Sequence, residues 1–168
     1  SYKELLIIRS QIETKKDYKM YEYKAKILRV VDGDTVDVDI DLGFGVWMHK
    51  ERVRMMGIDT PESRTRDLVE KQFGLASKEY VKSYLPVGSI QVLKTTIDKS
   101  GEDSRGKFGR ILGDFLVYHG EKDAQRKLTE VMIDDGYGVA YFGGSKDEID
   151  AQHLKNRERL ISEGKVTV

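Results

Sequence analysis

The stretch EYKAKILRVVDGDTVDVDI, residues 22–40, decides how this chain folds. Residues 22–31 are rich in Tyr, Ile, Leu and Val and predict a strand. Asp32-Gly33 then predicts a tight turn, because Gly accepts a positive φ. From residue 34 to residue 40 the alternation is strict, with apolar residues on one face and aspartates on the other. The stretch therefore predicts a hairpin whose second strand is half-buried.

Asp34 is the exception in this pattern. It has the parity of the apolar residues Val36, Val38 and Ile40, although it carries a carboxylate. Burying an unpaired carboxylate is costly. We therefore expect Asp34 to lie at the open end of the sheet, where it faces water or a cation.

The rest of the chain predicts three further strands and three helices. The strands are predicted over residues 46–58, with a bulge near Gly57, and over residues 89–97 and 108–118. The first helix begins between Asp67 and Gly74 and ends at Leu85. The second is capped by Asp123 and ends at Gly136, and the third runs from Ser145 to about Ser162. Five short strands with one helix between the third and the fourth suit a small Greek-key barrel of the OB type. The predicted fold class is therefore α+β and mainly β, a five-stranded OB-type barrel with three helices.

Composition excludes several classes of protein. The 168 residues include 29 Lys+Arg and 29 Asp+Glu, so the formal net charge is zero, and 39% are hydrophobic. Widespread disorder needs low hydrophobicity together with high net charge, which this chain does not have. The absence of Cys excludes disulfides, thiolate zinc sites and cysteine nucleophiles. No apolar run approaches the roughly 18 residues of a membrane span, so we expect a soluble chain with no membrane partner.

The length suits a single domain. We expect an arm of unknown role over residues 1–20, one folded domain over residues 21–162 and a tail over residues 163–168. The arm shows no leader peptide. The sequence leaves the compartment open: the cell exterior if a leader has been removed, and otherwise the cytoplasm.

The three histidines, His49, His119 and His153, lie far apart in the sequence and lack the spacing of metal ligands. A surface or packing role is expected for each.

Three polar groups are candidates for chemistry. They are Asp32-Gly33-Asp34-Thr35, then Arg54 with Gly57-Ile58-Asp59-Thr60-Pro61-Glu62, then Lys107-Phe108-Gly109-Arg110. Taken alone, each has an ordinary structural explanation: a hairpin turn, a turn fixed by proline, and a loop that leads into a strand. Pro61 fixes its own φ and pushes Thr60 into an extended conformation, so Asp59 and Glu62 occupy a rigid corner. A catalytic carboxylate needs such rigid placement.

Together, the three groups favour hydrolysis of a phosphodiester. The pentavalent transition state gathers negative charge, so catalysis needs cations around phosphorus and a general base for water. The planar fork of arginine suits two phosphate oxygens at once. Oxygen ligands from Asp34 and Asp59, with a backbone carbonyl and waters, suit Ca²⁺. Neither His nor Cys is needed for this chemistry.

In order and approximate spacing, the three groups resemble the signatures of the staphylococcal nuclease (thermonuclease) family. The resemblance extends from about Tyr23 to Leu160 and includes Val139-Ala140-Tyr141 and Gln152-His153-Leu154. It implies an OB-type barrel with three helices and a single nuclease domain. It also implies an endonuclease or exonuclease that cleaves DNA and RNA with little sequence preference and leaves 3′-phosphate and 5′-hydroxyl ends.

The resemblance also implies a role for each site residue. Ca²⁺ would be held by the Asp34 and Asp59 carboxylates and the Thr60 carbonyl. Glu62 would position or deprotonate the attacking water. The substrate would be held by Arg54 and Arg110, which grip the phosphate, and by further contacts from Lys107, Phe108 and Tyr141.

Two residues depart from the family pattern. Phe108 stands where the family often has Tyr, so a hydroxyl is lost while the ring can still stack. Gly143 stands where the relatives tend to have a second aromatic residue that packs on a base. Both changes concern substrate affinity and end preference more than the core chemistry.

Two alternatives stay open beside the nuclease. An OB barrel of this family can bind nucleic acid or a protein without cutting. Such a module gains nothing from three carboxylates directed at a polyanion, so catalysis ranks first. A nuclease with a narrower substrate, such as single strands, is the other alternative. The expected partners are DNA and RNA, with single strands as one candidate preference, and the expected state is a monomer.

Overall fold

A computed structural model of the chain describes residues 1–8, 21–97, 100–106, 109–120 and 124–168. Its elements in chain order are β1 (Glu22–Asp32), β2 (Thr35–Asp41), β3 (Trp47–Met55), β4 (Ile58–Asp59), α1 (Leu68–Tyr84), β5 (Ile90–Thr95), β6 (Ile111–Tyr118), β7 (Gln125–Lys127), α2 (Leu128–Asp134), β8 (Val139–Ala140) and α3 (Lys146–Ser162). Residues 2–8, within the predicted arm, are also helical. None of the helices in these ranges has the length and apolarity that a bilayer span requires.

Five strands close into a barrel. β2 pairs antiparallel with β1 and β3, and β5 pairs antiparallel with β1 and β6. β3 and β6 then pair in parallel, from Val53 opposite Ile111 to Met55 opposite Gly113, and this pairing closes the barrel. The structure thus confirms the predicted OB-type barrel in a mainly β fold with helices.

The apolar face of β2 lies inside this barrel. Val36, Val38 and Ile40 are at most 2% exposed, whereas Asp37 and Asp39 are half-buried on the other face. The predicted alternation of the hairpin is therefore confirmed. It orients β2 so that its first residues, beside Asp34, lie at one end of the barrel.

Helix α3 begins at the predicted Ser145 cap, and α1 begins at an Asp67 cap, at the N-terminal limit of the predicted range. The Asp67 carboxylate accepts hydrogen bonds from the amides of Val69 and Glu70 at 3.0 and 3.1 Å. The Ser145 hydroxyl accepts one from the Glu148 amide at 3.2 Å. These bonds satisfy amide groups that the first turn of a helix leaves without a partner.

The region before α2 differs from the prediction. Residues 125–127 form β7, which pairs with the edge of β6, and α2 begins only at Leu128. The open edge of β6 offers backbone hydrogen-bond partners to residues 125–127. A helix that began before Leu128 would not use these partners. Asp123, predicted to cap this helix, lies outside the described residues. α2 ends as predicted, in a Schellman motif whose left-handed residue is Gly136 at φ +86°.

One further strand boundary differs, and a residue of the predicted tail packs with the core. The predicted strand over residues 46–58 divides into β3 and β4 at Gly57, whose φ is +82°. The predicted tail contributes Val166, 8% exposed, to the core. The boundary between the domain and the tail over residues 163–168 stays a prediction. Val166 of that tail packs against the domain.

Asp114 on β6 is a buried carboxylate, 8% exposed. It accepts hydrogen bonds from the Thr129 hydroxyl and, at 2.8 Å, from the Phe115 amide. Burial raises the pKa of Asp114 to about 6, against the lowering effect of these bonds and of Lys127. The folded protein therefore holds this proton more tightly than the unfolded chain does.

We expect Asp114 to make stability depend on pH. A pKa raised from 3.8 to about 6 is worth about 3 kcal/mol, which is fully present below pH 3.8 and lost as the pH rises through 6. Urea denaturation of Asp114→Asn should show a smaller loss of unfolding free energy between pH 4 and pH 7 than the wild type shows. Asp150→Asn, at an exposed position on α3, serves as the control. Identical pH dependence in Asp114→Asn and the wild type would show that Asp114 is already ionised in the folded protein.

Candidate active site

The acids singled out in the sequence gather at one end of the barrel. Burial raises the pKa of the Glu62 carboxyl, and the negative charges of Asp32, Asp34, Glu70 and Asp59 raise it further, in that order. Four carboxylates therefore lie close enough to Glu62 to disfavour its charge. The corner after β4 and the turn before β2 contribute to the same acidic group.

Close backbone packing brings these two segments together. A Cβ atom placed on Gly33 would lie 3.0 Å from the Cβ of Ser77 on α1 and 3.2 Å from the Cβ of Thr60. Thr60 itself is only 6% exposed. The turn that carries Asp34 thus lies directly against the corner that carries Asp59 and the helix behind it.

Arg54 is held in place at the end of β3. Its guanidinium donates a hydrogen bond to the Ile58 carbonyl at 3.0 Å and another to the Met55 carbonyl. The same group lies 3.3 Å from the Asp34 carboxylate, and the two side chains are 19% and 18% exposed. Asp34 therefore faces a cation, as expected, and that cation is the Arg54 guanidinium. The break in the strand at Gly57 supplies the carbonyls that orient this arginine.

Arg110 and Tyr141 reach the same place from other elements. They line an open pocket of about 580 Å³ together with Arg54, and Phe142, 87% exposed, lies at its edge. The parallel pairing of β3 with β6 places Arg54 opposite Leu112, two residues beyond Arg110. Closure of the barrel thus brings Arg110, from the third sequence group, to Arg54 of the second.

Gly74 on α1 positions the loop that carries Glu62. A Cβ atom placed on Gly74 would lie 2.3 Å from the Glu62 carbonyl oxygen and 2.5 Å from the Ser63 nitrogen. The backbone of the loop therefore lies directly on the helix, where no side chain fits between them.

Two of the predicted substrate contacts, Lys107 and Phe108, lie outside the described residues, so their roles stay predictions. Gly143, the second departure from the family pattern, has φ +85° at the edge of the pocket. The neighbouring Phe142 presents an exposed ring there. The Phe142 ring therefore gives the pocket an aromatic surface beside Gly143, which has no aromatic side chain.

His153 is a site residue that the sequence analysis missed. Its Nε2 atom lies 2.7 Å from the Asp59 carboxylate, and its side chain is 15% exposed. A surface or packing role was expected for it, whereas the structure places it on α3 in contact with a predicted metal ligand. The two residues are 94 positions apart, so no local pattern links them.

The donor set fits a hard cation by its chemistry. Within the described residues, no three His, Asp or Glu side chains are already arranged around a metal position. Asp34 faces Arg54, and Asp59 faces His153. However, the carboxylates are hard oxygen donors, and their repulsion, seen in the raised pKa of Glu62, is the kind that a bound cation relieves.

Comparison with known proteins identifies the family of the chain. A family model described as "Staphylococcal nuclease homologue" matches residues 52–166, more than half of the chain. The chain is 29% identical to the thermonuclease of Staphylococcus hyicus over 109 residues, covering 65% of this chain and 56% of that protein. It is 33% identical to the thermonuclease of Staphylococcus intermedius over 104 residues, covering 62% and 54%.

A more distant relative covers more of the chain. The micrococcal nuclease of Shigella flexneri is 25% identical over 123 residues, covering 71% of this chain and 59% of that protein. The chain spans about half the length of the curated relatives that it matches. The range matched by the family model includes Arg54, Asp59, Glu62 and Arg110. The resemblance seen in the sequence is thereby confirmed, and this chain belongs to the staphylococcal nuclease family.

Proposed function

We propose that the protein is a Ca²⁺-dependent nuclease that hydrolyses phosphodiester bonds of DNA and RNA with little sequence preference. One observation carries the proposal: Arg54 lines a pocket with Arg110 and also contacts the acidic group around Glu62. Cations for a phosphate and a base for water thus lie at one end of the barrel. The names of the relatives, thermonuclease and micrococcal nuclease, support the same function.

In this proposal the two arginines bind the scissile phosphate. The fork of Arg54 is already held by two carbonyls, so little reorganisation is needed as negative charge develops on the phosphate oxygens. Arg110, which lines the same pocket, would also bind the phosphate. Tyr141, 46% exposed in that pocket, would contact the nucleoside beside it.

Glu62 acts as the general base. Its raised pKa makes the carboxylate a better proton acceptor than a glutamate with an ordinary pKa. It takes a proton from water, the water oxygen forms a bond to phosphorus, and the bond from phosphorus to the 5′ oxygen breaks. The 5′ oxygen takes a proton from solvent, which leaves 3′-phosphate and 5′-hydroxyl ends.

Asp34, Asp59 and the Thr60 carbonyl are the residues that would hold Ca²⁺. When bound, the ion supplies positive charge that offsets both the phosphate charge and the repulsion among the carboxylates. Asp34 contacts the Arg54 guanidinium, and Asp59 contacts the His153 ring. These two contacts hold both carboxylates at the same end of the barrel.

A second candidate function is nucleic-acid binding without cleavage. The exposed rings of Tyr141 and Phe142 beside two arginines favour it, because aromatic surfaces and cations suffice to bind single strands. The acidic group counts against it, since carboxylates repel a polyanion.

Cleavage assays on DNA and RNA, with end-group analysis of the products, test the proposal. We expect activity with Ca²⁺, little with Mg²⁺, which requires tighter octahedral geometry, and none with a chelator. Equal activity in the chelator would contradict the metal assignment. Undetectable cleavage together with salt-sensitive binding would favour the binding module.

We expect His153 to support the calcium site through Asp59. Partners that orient a metal ligand typically contribute about 10–100-fold to metal affinity, so His153→Ala should weaken Ca²⁺ binding by about 10-fold. His153→Gln, which keeps a donor at the same reach, should lose less. Calorimetric titration with Ca²⁺ measures both. His49→Ala is the matched control, because His49 lies 3.3 Å from Asp39 on the outer face of the barrel. Unchanged calcium affinity in His153→Ala would contradict this role.

A further inference from the structure

The pocket that contains the two arginines continues into a second pocket. The second pocket has a volume of about 200 Å³, and Lys94 and Thr96 line it. Met56 and Lys127 line both pockets. The two pockets therefore form one groove that leads away from the proposed scissile phosphate.

Strand order explains why this groove exists. β6 lies between β3 and β5, with Arg54 opposite Leu112 and Lys94 opposite Asp114. Arg54 and Lys94 both alternate with buried neighbours, so both lie on the outer face of the barrel. Two strand spacings separate β3 from β5, about 10 Å, which a lysine side chain partly bridges. The groove thus crosses the outer face of β6 from one cation to the next.

The charges in this extension are available for an anion. Lys94 and Lys127 are exposed, and neither forms an ion pair with the residues that the structure describes. Asp114, the carboxylate that lines the extension, is only 8% exposed. It accepts hydrogen bonds from Thr129 and Phe115, so it is directed at α2 rather than at the groove. Lys127 lies close enough to Asp114 to lower the pKa of its carboxyl, so it partly offsets that acid, and Lys94 adds a second positive charge that makes the extension attractive to a phosphate.

We propose that Lys94, Lys127 and the Thr96 hydroxyl form a second phosphate subsite. Its ligand is a neighbouring phosphodiester of the same nucleic-acid strand, one that is bound but not cleaved. The proposal rests on the proposed nuclease function, because it places the next phosphate of that substrate. Met56, 43% exposed between the subsite and the catalytic pocket, offers an apolar surface to the intervening nucleoside.

The subsite predicts different effects on long and short substrates. We expect the variant that combines Lys94→Ala with Lys127→Ala to raise KM about 10-fold for a single-stranded decanucleotide, with kcat unchanged. KM for a dinucleotide, which has one phosphodiester, should rise far less than KM for the decanucleotide, although Lys127 also lines the catalytic pocket. For the decanucleotide, the slope of log affinity against log salt should fall by about 1.4, or about 0.7 for each lost contact. The control variant combines Lys24→Ala with Lys26→Ala, two exposed lysines on β1.

Equilibrium binding separates failure of the subsite from failure of the nuclease. Fluorescence anisotropy with the labelled decanucleotide, in chelator, should show about 10-fold weaker binding by the Lys94 and Lys127 variant even if the wild type does not cleave. That result would support the subsite while the nuclease proposal failed. Unchanged decanucleotide binding, or an equal loss with the dinucleotide, would overturn the subsite. Thermal melting of each variant shows whether it is folded during the measurement.

Discussion

Replacing Arg54 or Arg110 should lower kcat for phosphodiester cleavage by about 10²–10³-fold or more, the scale of removing one donor to a transition state. The expectation follows from the pocket that both side chains line and from the fixed orientation of the Arg54 fork. Arg54→Lys keeps the positive charge but loses the two-pronged contact, so most of the loss should persist in it. Pre-steady-state cleavage of a labelled oligonucleotide in Ca²⁺ measures the effect.

Arg66→Ala is the matched control for the arginine variants, because Arg66 is exposed in the loop before α1. Arg54→Ala also leaves Asp34 without its ion-pair partner, so its thermal melting should be recorded with its activity. A folded Arg110→Ala variant with wild-type kcat would show that the pocket of Arg54 and Arg110 is not where the reaction occurs.

Gly74→Ala should lower kcat by about 10²-fold, because displacement of a catalytic group by about 1 Å has an effect of that size. Replacing Gly with Ala inside a helix ordinarily stabilises it by about 0.5–1 kcal/mol. Here the added Cβ would lie 2.3 Å from the Glu62 carbonyl oxygen, a backbone atom that cannot rotate away. The loop must shift, and Glu62 shifts with it. The loss of kcat in Gly74→Ala should therefore be larger than the fraction of unfolded variant accounts for.

Gly144→Ala is the control for this substitution, because the nearest atom to an added Cβ there is a Glu148 carboxylate oxygen at 3.9 Å. Steady-state kinetics and thermal melting of both variants decide between the two effects. If Gly74→Ala were more stable than the wild type and equally active, the contact between the helix and the Glu62 loop would not position the base.

The parts of the fold that could be predicted are those set by local pattern. The alternation of β2 and the Asp32-Gly33 turn predict the hairpin from local sequence. The expected positive φ of Gly33 was wrong, because this glycine is required instead by its close contact with Ser77 and Thr60. The predicted Ser145 cap lies within three residues of the amide that it satisfies, as does the Asp67 cap at the predicted start of α1. Such features depend on neighbours in sequence, so the sequence shows them directly.

The parts that could not be predicted depend on distant partners. β7 forms because the edge of β6 is available, and residues 125–127 alone show no strand pattern. His153 meets Asp59 only after α3 has packed at the end of the barrel. The meeting of Arg54 with Arg110 depends on the parallel pairing of β3 with β6. The resemblance to the family suggested that Arg54 and Arg110 lie together, whereas the hydrophobic periodicity of the sequence could not.

Single-turnover cleavage by Glu62→Gln tests most directly whether the acids and arginines at this end of the barrel form one catalytic site. With Ca²⁺ present, the rate constant should fall by about 10²–10⁴-fold, the usual contribution of a general base, while oligonucleotide affinity stays close to that of the wild type. Glu79→Gln, at an exposed position on α1, should keep the wild-type rate. A Glu62→Gln variant that cleaves as fast as the Glu79→Gln variant would contradict the account.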